Sequence, residues 1–183
     1  MHAESGNEQG RPDDTALSFA LADEAATLAL GAALAPLLMP GLAIFLEGDL
    51  GAGKTTLVRG LLRALGYQGK VRSPTYTLVE LYAISGLNLY HFDFYRFEQP
   101  EEYLDAGLDE YFQGDGVCLV EWPDQAGAYL PSADLRIRLS VVGAGRGAEI
   151  LAASPRGLAC LKCLTNLPAA SPGATSSGQP QPR

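Results

Sequence analysis

The chain has 183 residues and a formal net charge of −8 at pH 7. This length and a hydrophobic fraction of 47% suit one α/β domain with a substantial core, and they leave too little chain for two. The acidic balance argues against a protein whose main task is to hold nucleic acid through phosphate contacts. Any link to RNA is therefore expected to run through a partner.

The two ends of the chain differ in composition from its middle. Residues 1–15 are polar and acidic and lack the apolar centre of a signal peptide, while residues 166–183 are rich in Pro, Ser, Gly and Ala. Segments of this composition bury too little apolar surface to fold. We therefore expect two disordered extensions around one folded domain at residues 16–165.

One uncharged stretch, Ala25–Leu46, is long enough to raise the question of a membrane span. It is interrupted by Pro36, Pro40 and Gly41, however, which a spanning helix would not favour. A helix, a turn and a buried strand explain it better, so we expect no membrane association and a cytoplasmic protein.

The first predicted elements alternate between strand and helix. Ala16–Ala20 predicts a short strand, and Asp23 is placed to cap a helix that runs to about Ala35. The apolar run Leu42–Leu46 is typical of a buried parallel strand. Thr55–Leu65 carries leucines at helical spacing and predicts a second helix.

The most informative motif lies between that buried strand and that helix. Residues 48–55 read G-D-L-G-A-G-K-T, the full form of G-x-x-x-x-G-K-[ST]. In this pattern a glycine-rich backbone turns its N–H groups around a polyphosphate at a helix N-terminus. Lys54 would reach the β and γ phosphates, and the Thr55 hydroxyl would ligate Mg²⁺. The motif predicts a protein that binds a nucleoside triphosphate together with Mg²⁺.

The second half of the chain predicts more strand than helix. Two alternating segments separated by Ser85-Gly86 predict a hairpin, so part of the sheet should be antiparallel. The whole pattern predicts a single-domain α/β fold of P-loop type, with a mixed sheet flanked by helices. The predicted elements are a loop at Gly66–Pro74, strands at Thr77–Ile84 and Leu87–Tyr95, a short helix at Pro100–Ala106, a strand at Val117–Val120, and a closing hairpin of Asp134–Val142 and Ala148–Ala152 around Gly143–Gly147.

Hydrolysis needs more than a phosphate loop, because Mg²⁺ needs an acidic partner and the attacking water needs a group to orient it. Glu121 follows the strand Val117–Val120, where P-loop proteins carry a metal-side carboxylate. Asp93 lies among aromatic residues, where an unpaired carboxylate would be costly to bury. Either acid could instead be an exposed strand-end residue. Lys54, Asp93 and Glu121 are the catalytic candidates.

Several other side chains have two interpretations. His91 is either a hydrogen-bonded core residue or a base. Trp122 either packs within the fold or has a role in stacking on a base or docking a partner. Arg96 and Arg146 are either phosphate contacts or solvated side chains. The segment Ser73–Tyr76 is either an ordinary Ser-Pro turn or a loop that senses the γ-phosphate.

The three cysteines do not predict a metal centre. Cys118 lies in an apolar run and is expected in the core. Cys160 and Cys163 have C-x-x-C spacing, but no second pair or histidine accompanies them. We expect surface cysteines there rather than a zinc or redox site.

Four blocks of the sequence occur in the order Gly48–Thr56, Ser73–Glu80, His91–Arg96 and Val120–Pro123. Together they resemble the TsaE family, also called YjeE, whose members are small bacterial ATPases of tRNA threonylcarbamoyladenosine biosynthesis. The resemblance extends over about Ser18–Leu151. The phosphate loop is shared by many families, whereas the other three blocks together are specific.

The resemblance implies a function for the domain at residues 16–165. TsaE-like proteins hydrolyse ATP weakly alone and better on the TsaB–TsaD pair, which transfers a threonylcarbamoyl group to tRNA adenosine 37. Their ATP turnover is thought to reset that complex between rounds. ATP and Mg²⁺ are therefore the expected cofactors, TsaD and TsaB the expected partners, and tRNA an indirect partner through the complex.

The resemblance also implies roles for individual residues. Thr55 and Glu121 would hold Mg²⁺, and Asp93 would contact the nucleotide or the metal shell. The switch-like loop would consist of Ser73, Pro74, Thr75 and Tyr76. The nucleotide-binding residues would be Glu24, Leu50, Gly51, Ala52, Gly53, Lys54, Thr55, Thr56, Asp93, Asp124 and Arg146.

Three alternatives remain open at this point. A small-molecule or nucleotide kinase needs an acceptor pocket and arginines in a lid, whereas the segment before Glu121 is mainly aromatic and acidic and suits protein docking better. A GTPase-type switch would carry an Asn-Lys-x-Asp motif, which the chain lacks. A regulatory subunit could bind a nucleotide without hydrolysing it.

Overall fold

The computed structural model describes residues 15–166. The disorder predicted for the two ends therefore lies outside the described residues, apart from Thr15, in a turn, and Asn166, the last residue of a helix.

Seven strands and four α-helices make up the described region, together with four short 3₁₀ turns. In chain order the elements are β1 (Ala16–Leu21), α1 (Glu24–Leu34), β2 (Ala43–Glu47), α2 (Lys54–Ala64), β3 (Val79–Ile84), β4 (Leu87–Asp93), α3 (Glu102–Asp105), β5 (Val117–Glu121), β6 (Leu135–Val142), β7 (Gly145–Ala152) and α4 (Pro155–Asn166). The 3₁₀ turns are Ala35–Leu37, Leu108–Phe112, Pro123–Gln125 and Gly127–Tyr129.

All seven strands join one sheet in the order β1-β7-β6-β2-β5-β4-β3. The four central strands, β6, β2, β5 and β4, are parallel to one another. The outer pairings are antiparallel: β1 with β7, β7 with β6, and β3 with β4. The predicted α/β fold with a partly antiparallel mixed sheet is confirmed. The carboxyl ends of the parallel strands therefore meet at one edge of the sheet, where α/β proteins bind ligands.

The two faces of the sheet are covered differently. One hydrophobic cluster joins α1, α2 and α4 to residues such as Ile44, Leu46 and Leu119. A second, largely aromatic cluster on the other side includes Phe45 and Phe92. Because side chains alternate along a strand, residues spaced two apart from Leu119 lie on the helix-covered face.

Helices α1 and α2 contact each other through their backbones. A Cβ added at Gly31 would lie 2.1 Å from the Leu57 carbonyl oxygen, and one added at Gly60 would lie 2.1 Å from the Leu28 carbonyl oxygen. Only glycine permits this approach at both crossing points. The close contact fixes the distance between α1 and α2.

Strand β7 is longer than predicted. The sequence placed Gly143–Gly147 in the turn, because glycine is unfavourable in strands, but β7 begins at Gly145. A Cβ at Gly145 would lie 2.5 Å from the Leu21 carbonyl oxygen, so close approach of β1 requires the glycine. The extension brings Arg146 into the sheet, opposite Leu21 and Val141.

Helix α4 was not predicted, and the prediction that both residues of the C-x-x-C pair lie at the surface was wrong. Cys160 is buried, whereas Cys163 is exposed, and Cys118 is buried as expected. Two start signals are present: Pro155 is the first helical residue, and the Ser154 hydroxyl accepts the Gly157 N–H at 3.0 Å.

The stretch considered as a membrane span divides into α1, a 3₁₀ turn and β2. Among residues 15–166, no helix combines the length and apolar character needed to cross a membrane.

Candidate functional site

The phosphate-loop motif forms a tight turn between β2 and α2. Gly48, Gly51 and Gly53 have φ angles of 139°, 79° and 110°, a backbone region that favours glycine. A Cβ at Gly48 would also lie 2.3 Å from the Leu139 carbonyl oxygen. No side chain caps the first turn of α2, so the positive end of the helix dipole is open to an anion.

Lys54 is buried at the start of α2. Its ammonium group donates to the carbonyl oxygens of Gly48 and Asp49, the latter at 2.9 Å, and lies 4.2 Å from the centre of the Trp122 ring. The loop backbone and the indole thus hold this cation in place. Trp122 therefore packs within the site, as one of its two interpretations predicted. Its role in binding a base or a partner stays a prediction.

The charged side chains around Lys54 carry more negative than positive charge. Burial lowers the pKa of Lys54 below its ordinary value of 10.5, while the carboxylates of Glu121, Asp93 and Asp49 act in the opposite direction. One ammonium thus faces three acidic side chains. Such a site favours additional positive charge, as a divalent cation would supply.

Glu121 is the meeting point of two hydrogen bonds. Its Oε1 accepts from the Thr55 hydroxyl at 2.8 Å and lies 2.9 Å from Nε2 of His91. His91 is fully buried, and its Nδ1 has no hydrogen-bond partner among the described residues. The tautomer with hydrogen on Nε2 therefore fits best, because that nitrogen alone has an acceptor to donate to.

The contact between His91 and Glu121 was missed from the sequence. A signal was present, because His91 precedes Asp93 by two residues and so shares its face of β4. Without the strand order, nothing indicated that Glu121 lies on the neighbouring strand.

Asp93 fastens the Ser73–Tyr76 loop to the sheet. Its carboxylate accepts from the Ser73 hydroxyl, from the Thr75 hydroxyl at 3.3 Å and from the Tyr95 N–H at 2.8 Å. Asp93 is buried and stands opposite Glu121 in the parallel register of β4 and β5. The two predicted acids thus lie on adjacent strands at the same edge, and neither is an exposed strand-end residue.

Two cavities flank the phosphate loop and share Gly51, Gly53 and Thr56. The first has a volume of about 220 Å³ and the second about 350 Å³. The first is lined by Leu50, Gly51, Gly53, Lys54, Thr55, Thr56, Ser73, Thr75, Asp93, Tyr95, Glu121 and Trp122. The second is lined by Ala22, Asp23, Glu24, Thr27, Gly51, Gly53, Thr56, Ala144 and Arg146.

Arg146 braces the phosphate loop from β7. Its Nε donates to the Ala52 carbonyl oxygen at 3.1 Å, and a terminal nitrogen donates to that of Gly51 at 3.2 Å. Glu24 lines the second cavity and makes an ion pair with Arg59 at 3.3 Å.

Two other candidates lie away from the cavities. Asp124 is exposed in the 3₁₀ turn Pro123–Gln125 and lines neither cavity. The Arg96 guanidinium lies 4.3 Å from the centre of the exposed Tyr76 ring, also outside both. Of the candidate loop, Ser73 and Thr75 line the first cavity, whereas Pro74 and Tyr76 do not.

A larger cavity, of about 770 Å³, lies at the opposite edge of the sheet beside Asn88 and Gly116. Ligand sites of α/β sheets lie outside the carboxyl ends of the parallel strands, which argues against this larger cavity as the main site. The larger cavity is therefore not chosen on its size. The smaller cavity is the candidate site because Lys54, Thr55 and Glu121 all line it.

The donor set fits Mg²⁺. A hydroxyl from Thr55 and carboxylates from Glu121 and Asp93 are hard oxygen ligands, which this ion prefers. Within residues 15–166, no group of three or more His, Cys, Asp or Glu side chains forms a metal centre. Mg²⁺ sites at phosphates require only one or two carboxylates, so this agrees with a site that the nucleotide completes.

The mixed sheet, the glycine-rich turn and the open N-terminus of α2 define a protein of the P-loop class, whose members hold the phosphates of nucleotides. The family model described as "Threonylcarbamoyl adenosine biosynthesis protein TsaE" matches residues 21–147. The chain therefore belongs to the TsaE family, as its four sequence blocks predicted.

Individual relatives agree with this assignment. The chain is 41% identical over 149 residues to tRNA threonylcarbamoyladenosine biosynthesis protein TsaE of Haemophilus influenzae, covering 79% of this chain and 94% of the relative. It is 46% identical over 117 residues to the protein of that name from Bacillus subtilis, covering 64% and 73%. The crystal structure of Bacillus subtilis YdiB superposes with a TM-score of 0.71 at 34% identity, covering 82% of this chain and 94% of YdiB.

Proposed function

We propose that this protein binds ATP with Mg²⁺ and hydrolyses it, and that it supports threonylcarbamoyl modification of tRNA adenosine 37 together with TsaB and TsaD. The observation that carries the proposal is the hydrogen bond between Thr55 and Glu121 at the N-terminus of α2. It joins the last residue of the phosphate-loop motif to an acid at the end of β5, the arrangement that a P-loop protein needs to hold a metal ion. Membership of the TsaE family supports the tRNA pathway.

In this proposal the nucleotide would occupy both cavities that flank the phosphate loop. The triphosphate would lie in the cavity that contains Lys54 and Thr55, against the backbone N–H groups of the loop. The base and ribose would extend past Gly51 and Thr56, which both cavities share, toward Glu24 and Arg146. Because Arg146 donates to two loop carbonyls, it would act mainly by keeping the loop in its phosphate-binding shape.

Each residue of the site would have a separate role in ATP hydrolysis. The oxygen of water bonds to the γ-phosphorus while the bond from that phosphorus to the bridging oxygen breaks, giving ADP, inorganic phosphate and a proton. Lys54 would stabilise negative charge on the γ-phosphate oxygens. Bound Mg²⁺ would supply further positive charge at the β and γ phosphates. Thr55 and Glu121 would hold it, and Asp93 would orient the water through a lone pair left free by the loop.

His91 would act as a positioning residue. Its hydrogen bond to Oε1 of Glu121 adds to that from Thr55, so one oxygen is held from α2 and from β4 at once. The second carboxylate oxygen accepts no hydrogen bond among residues 15–166 and would be available to the metal or to a metal-bound water. Residues that orient metal ligands commonly affect metal affinity nearly as much as the ligands themselves.

The proposal is tested by measuring phosphate release from ATP by the protein alone and with the TsaB–TsaD pair of the same organism. We expect slow release alone, faster release with the pair, and none above background for Lys54→Ala in either case. A pair that leaves the rate unchanged would count against the proposed partners. Transfer of the γ-phosphate to a small molecule rather than to water would replace the ATPase assignment with a kinase.

A further inference from the structure

Most basic side chains in residues 15–166 are engaged by carboxylates or by backbone carbonyls, as in the ion pairs of Glu47 and Glu149 with arginines of β6. Five make neither an ion pair nor a hydrogen bond within this part of the chain. Three of the five lie beside the Ser73–Tyr76 loop. The five are Arg63, Lys70, Arg72, Arg96 and Lys162.

The three grouped cations surround an exposed aromatic side chain. Tyr76 is 84% exposed, and the Arg96 guanidinium lies 4.3 Å from the centre of its ring. Lys70 and Arg72 line a cavity of about 340 Å³ whose wall also includes Tyr76 and Tyr82. Tyrosine and arginine are the side chains that most often dominate protein–protein binding energy. We call Lys70, Arg72, Tyr76 and Arg96 the switch surface.

The switch surface adjoins the nucleotide site. Ser73 lines both the cavity of the switch surface and the cavity of the phosphate loop. Ser73 and Thr75 also donate to Asp93, which stands opposite Glu121 in the sheet. A partner that moves this loop would therefore move hydrogen bonds to a carboxylate of the site.

The phosphate-loop cavity adjoins the cavity of the switch surface at Ser73, and it also carries exposed side chains at its mouth. Leu50 is 71% exposed and Tyr95 44% exposed, although both line that cavity. A partner docked on the switch surface that also extended over this mouth would bury both side chains. Exclusion of water by such a cover would strengthen electrostatic interactions in the site.

We propose that the switch surface docks an acidic segment of a partner protein, and that docking and nucleotide binding are coupled through Ser73, Thr75 and Asp93. The inference deepens the proposed function, on which it rests for the identity of the partner. The acidic character follows from charge: within residues 15–166, Lys70, Arg72 and Arg96 make no ion pair with a carboxylate.

Charge also favours protein over RNA as the occupant. A polyanion that extended beyond the patch would meet the negative charge of the rest of the chain. The exposed Glu80 lies in the wall of the same cavity and repels any anion next to it. A nucleic acid carries a charge at every nucleotide, whereas a peptide can place a neutral residue beside Glu80. An acidic peptide segment can place its few carboxylates on Lys70 and Arg72 and present an apolar side chain to Tyr76.

Charge reversal tests the surface separately from the partner. The variant Lys70→Glu/Arg72→Glu is compared with Arg63→Glu/Lys162→Glu, which changes net charge equally at the two other exposed, unpaired cations. The first probe is a fluorescein-labelled peptide of glutamate and tyrosine residues, with a glutamine-for-glutamate peptide as control. The second is the TsaB–TsaD pair, and the third is unmodified tRNA.

We expect the acidic peptide to bind the wild-type protein and the control variant alike, and the Lys70→Glu/Arg72→Glu variant at least about ten-fold more weakly. ATP hydrolysis without a partner should be the same in all three proteins. Equal peptide binding by both variants would refute the docking role of the switch surface. That role would also be refuted if the Lys70→Glu/Arg72→Glu variant lost tRNA binding while it still bound the peptide and the TsaB–TsaD pair. Selective peptide binding without binding of the pair would keep the surface and remove TsaB–TsaD as partner.

The coupling has its own readout. Because linkage is reciprocal, a non-hydrolysable ATP analogue with Mg²⁺ should change the affinity of the acidic peptide for the wild-type protein. The change should be smaller in Ser73→Ala, which removes one of the hydroxyls that Asp93 accepts from. A peptide affinity that is the same with and without the analogue would overturn the coupling while leaving the docking surface in place.

Discussion

Substitution of His91 is the sharpest test of how Glu121 is held. His91→Gln keeps an N–H donor near the position of Nε2, whereas the shorter side chain of His91→Asn ends near the position of Nδ1. Only Nε2 has a partner in the structure, 2.9 Å away on Glu121. We therefore expect His91→Gln to retain function and His91→Asn to lose it, although both side chains are neutral amides.

The expected magnitude follows from the contacts. A buried hydrogen bond to a charged group contributes about 1.5–3 kcal/mol. Oε1 of Glu121 keeps the hydrogen bond from Thr55 when His91 is replaced, so the lower end of that range applies. About 1.5 kcal/mol corresponds to roughly a ten-fold change in an equilibrium constant. His91→Asn should thus raise the Mg²⁺ concentration needed for half-maximal turnover by about ten-fold, in line with residues that orient metal ligands.

The assay separates positioning from folding. Nucleotide affinity is measured by calorimetry with and without Mg²⁺, and His91→Asn should weaken only the Mg²⁺-dependent part. A variant that loses affinity equally in both conditions has lost structure instead. The midpoint of thermal unfolding without ligand serves as the control for stability.

A second readout needs no ligand at all. The chain has two histidines, of which His91 alone lies in the described region, so its ¹⁵N resonances are assigned by their disappearance in His91→Gln. We expect the hydrogen on Nε2 and a bare Nδ1 in the wild-type protein. A hydrogen on Nδ1 alone, or equal function of the Gln and Asn variants, would refute the reasoning.

Four further outcomes are expected. Lys54→Ala should lower turnover by about 100-fold or more, because the γ-phosphate loses its side-chain cation, and normal turnover would remove that role. Glu121→Ala should weaken Mg²⁺-dependent turnover more than Mg²⁺-free nucleotide binding, whereas equal losses would indicate a structural role. Gly31→Ala should destabilise the protein by about 1–3 kcal/mol in urea unfolding, since its Cβ would lie 2.1 Å from a carbonyl oxygen of α2, and an unchanged midpoint would contradict that contact. Iodoacetamide at pH 8 should modify the exposed Cys163 in the folded protein but modify Cys118 only after unfolding. The reason is that burial raises the pKa of the Cys118 thiol from 9.0 to about 12. Rapid labelling of Cys118 in the folded protein would contradict its burial.

The phosphate loop was predictable because its parts are contiguous in the chain. The residues from Gly48 to Thr55 supply the turn, the cation and the hydroxyl within one motif, and local backbone chemistry determines their arrangement. Glu121 and Asp93 were predictable as candidates for different reasons. Glu121 follows an apolar strand, and strand ends are where α/β proteins place functional side chains. Asp93 lies among aromatic residues, where an unpaired carboxylate would be costly to bury. How the two acids lie relative to each other was not predictable from position in the chain.

The parts that sequence reasoning missed depend on pairing between distant segments. The glycines at the start of β7 favour a turn locally, but Gly145 is required where β1 passes within contact distance. In α4, the apolar positions form a helical face, yet Cys160 and Cys163 drew attention to metal and redox chemistry instead. Cys160 is buried in the hydrophobic cluster that joins α4 to the sheet, and its Sγ–H donates to the carbonyl oxygen of Leu37, 123 residues away.

Strand order is what turns these separate residues into a site. β2 leads into the phosphate loop, and its neighbour β5 ends at Glu121, next to Asp93 on β4. Because the three strands are parallel, their functional residues emerge at one edge and on one face, where the N-terminus of α2 also lies. There the Thr55 hydroxyl donates to Glu121. A one-residue slip of β5 against β2 would point Glu121 to the aromatic side of the sheet, so the register of these buried strands is itself a requirement of the chemistry.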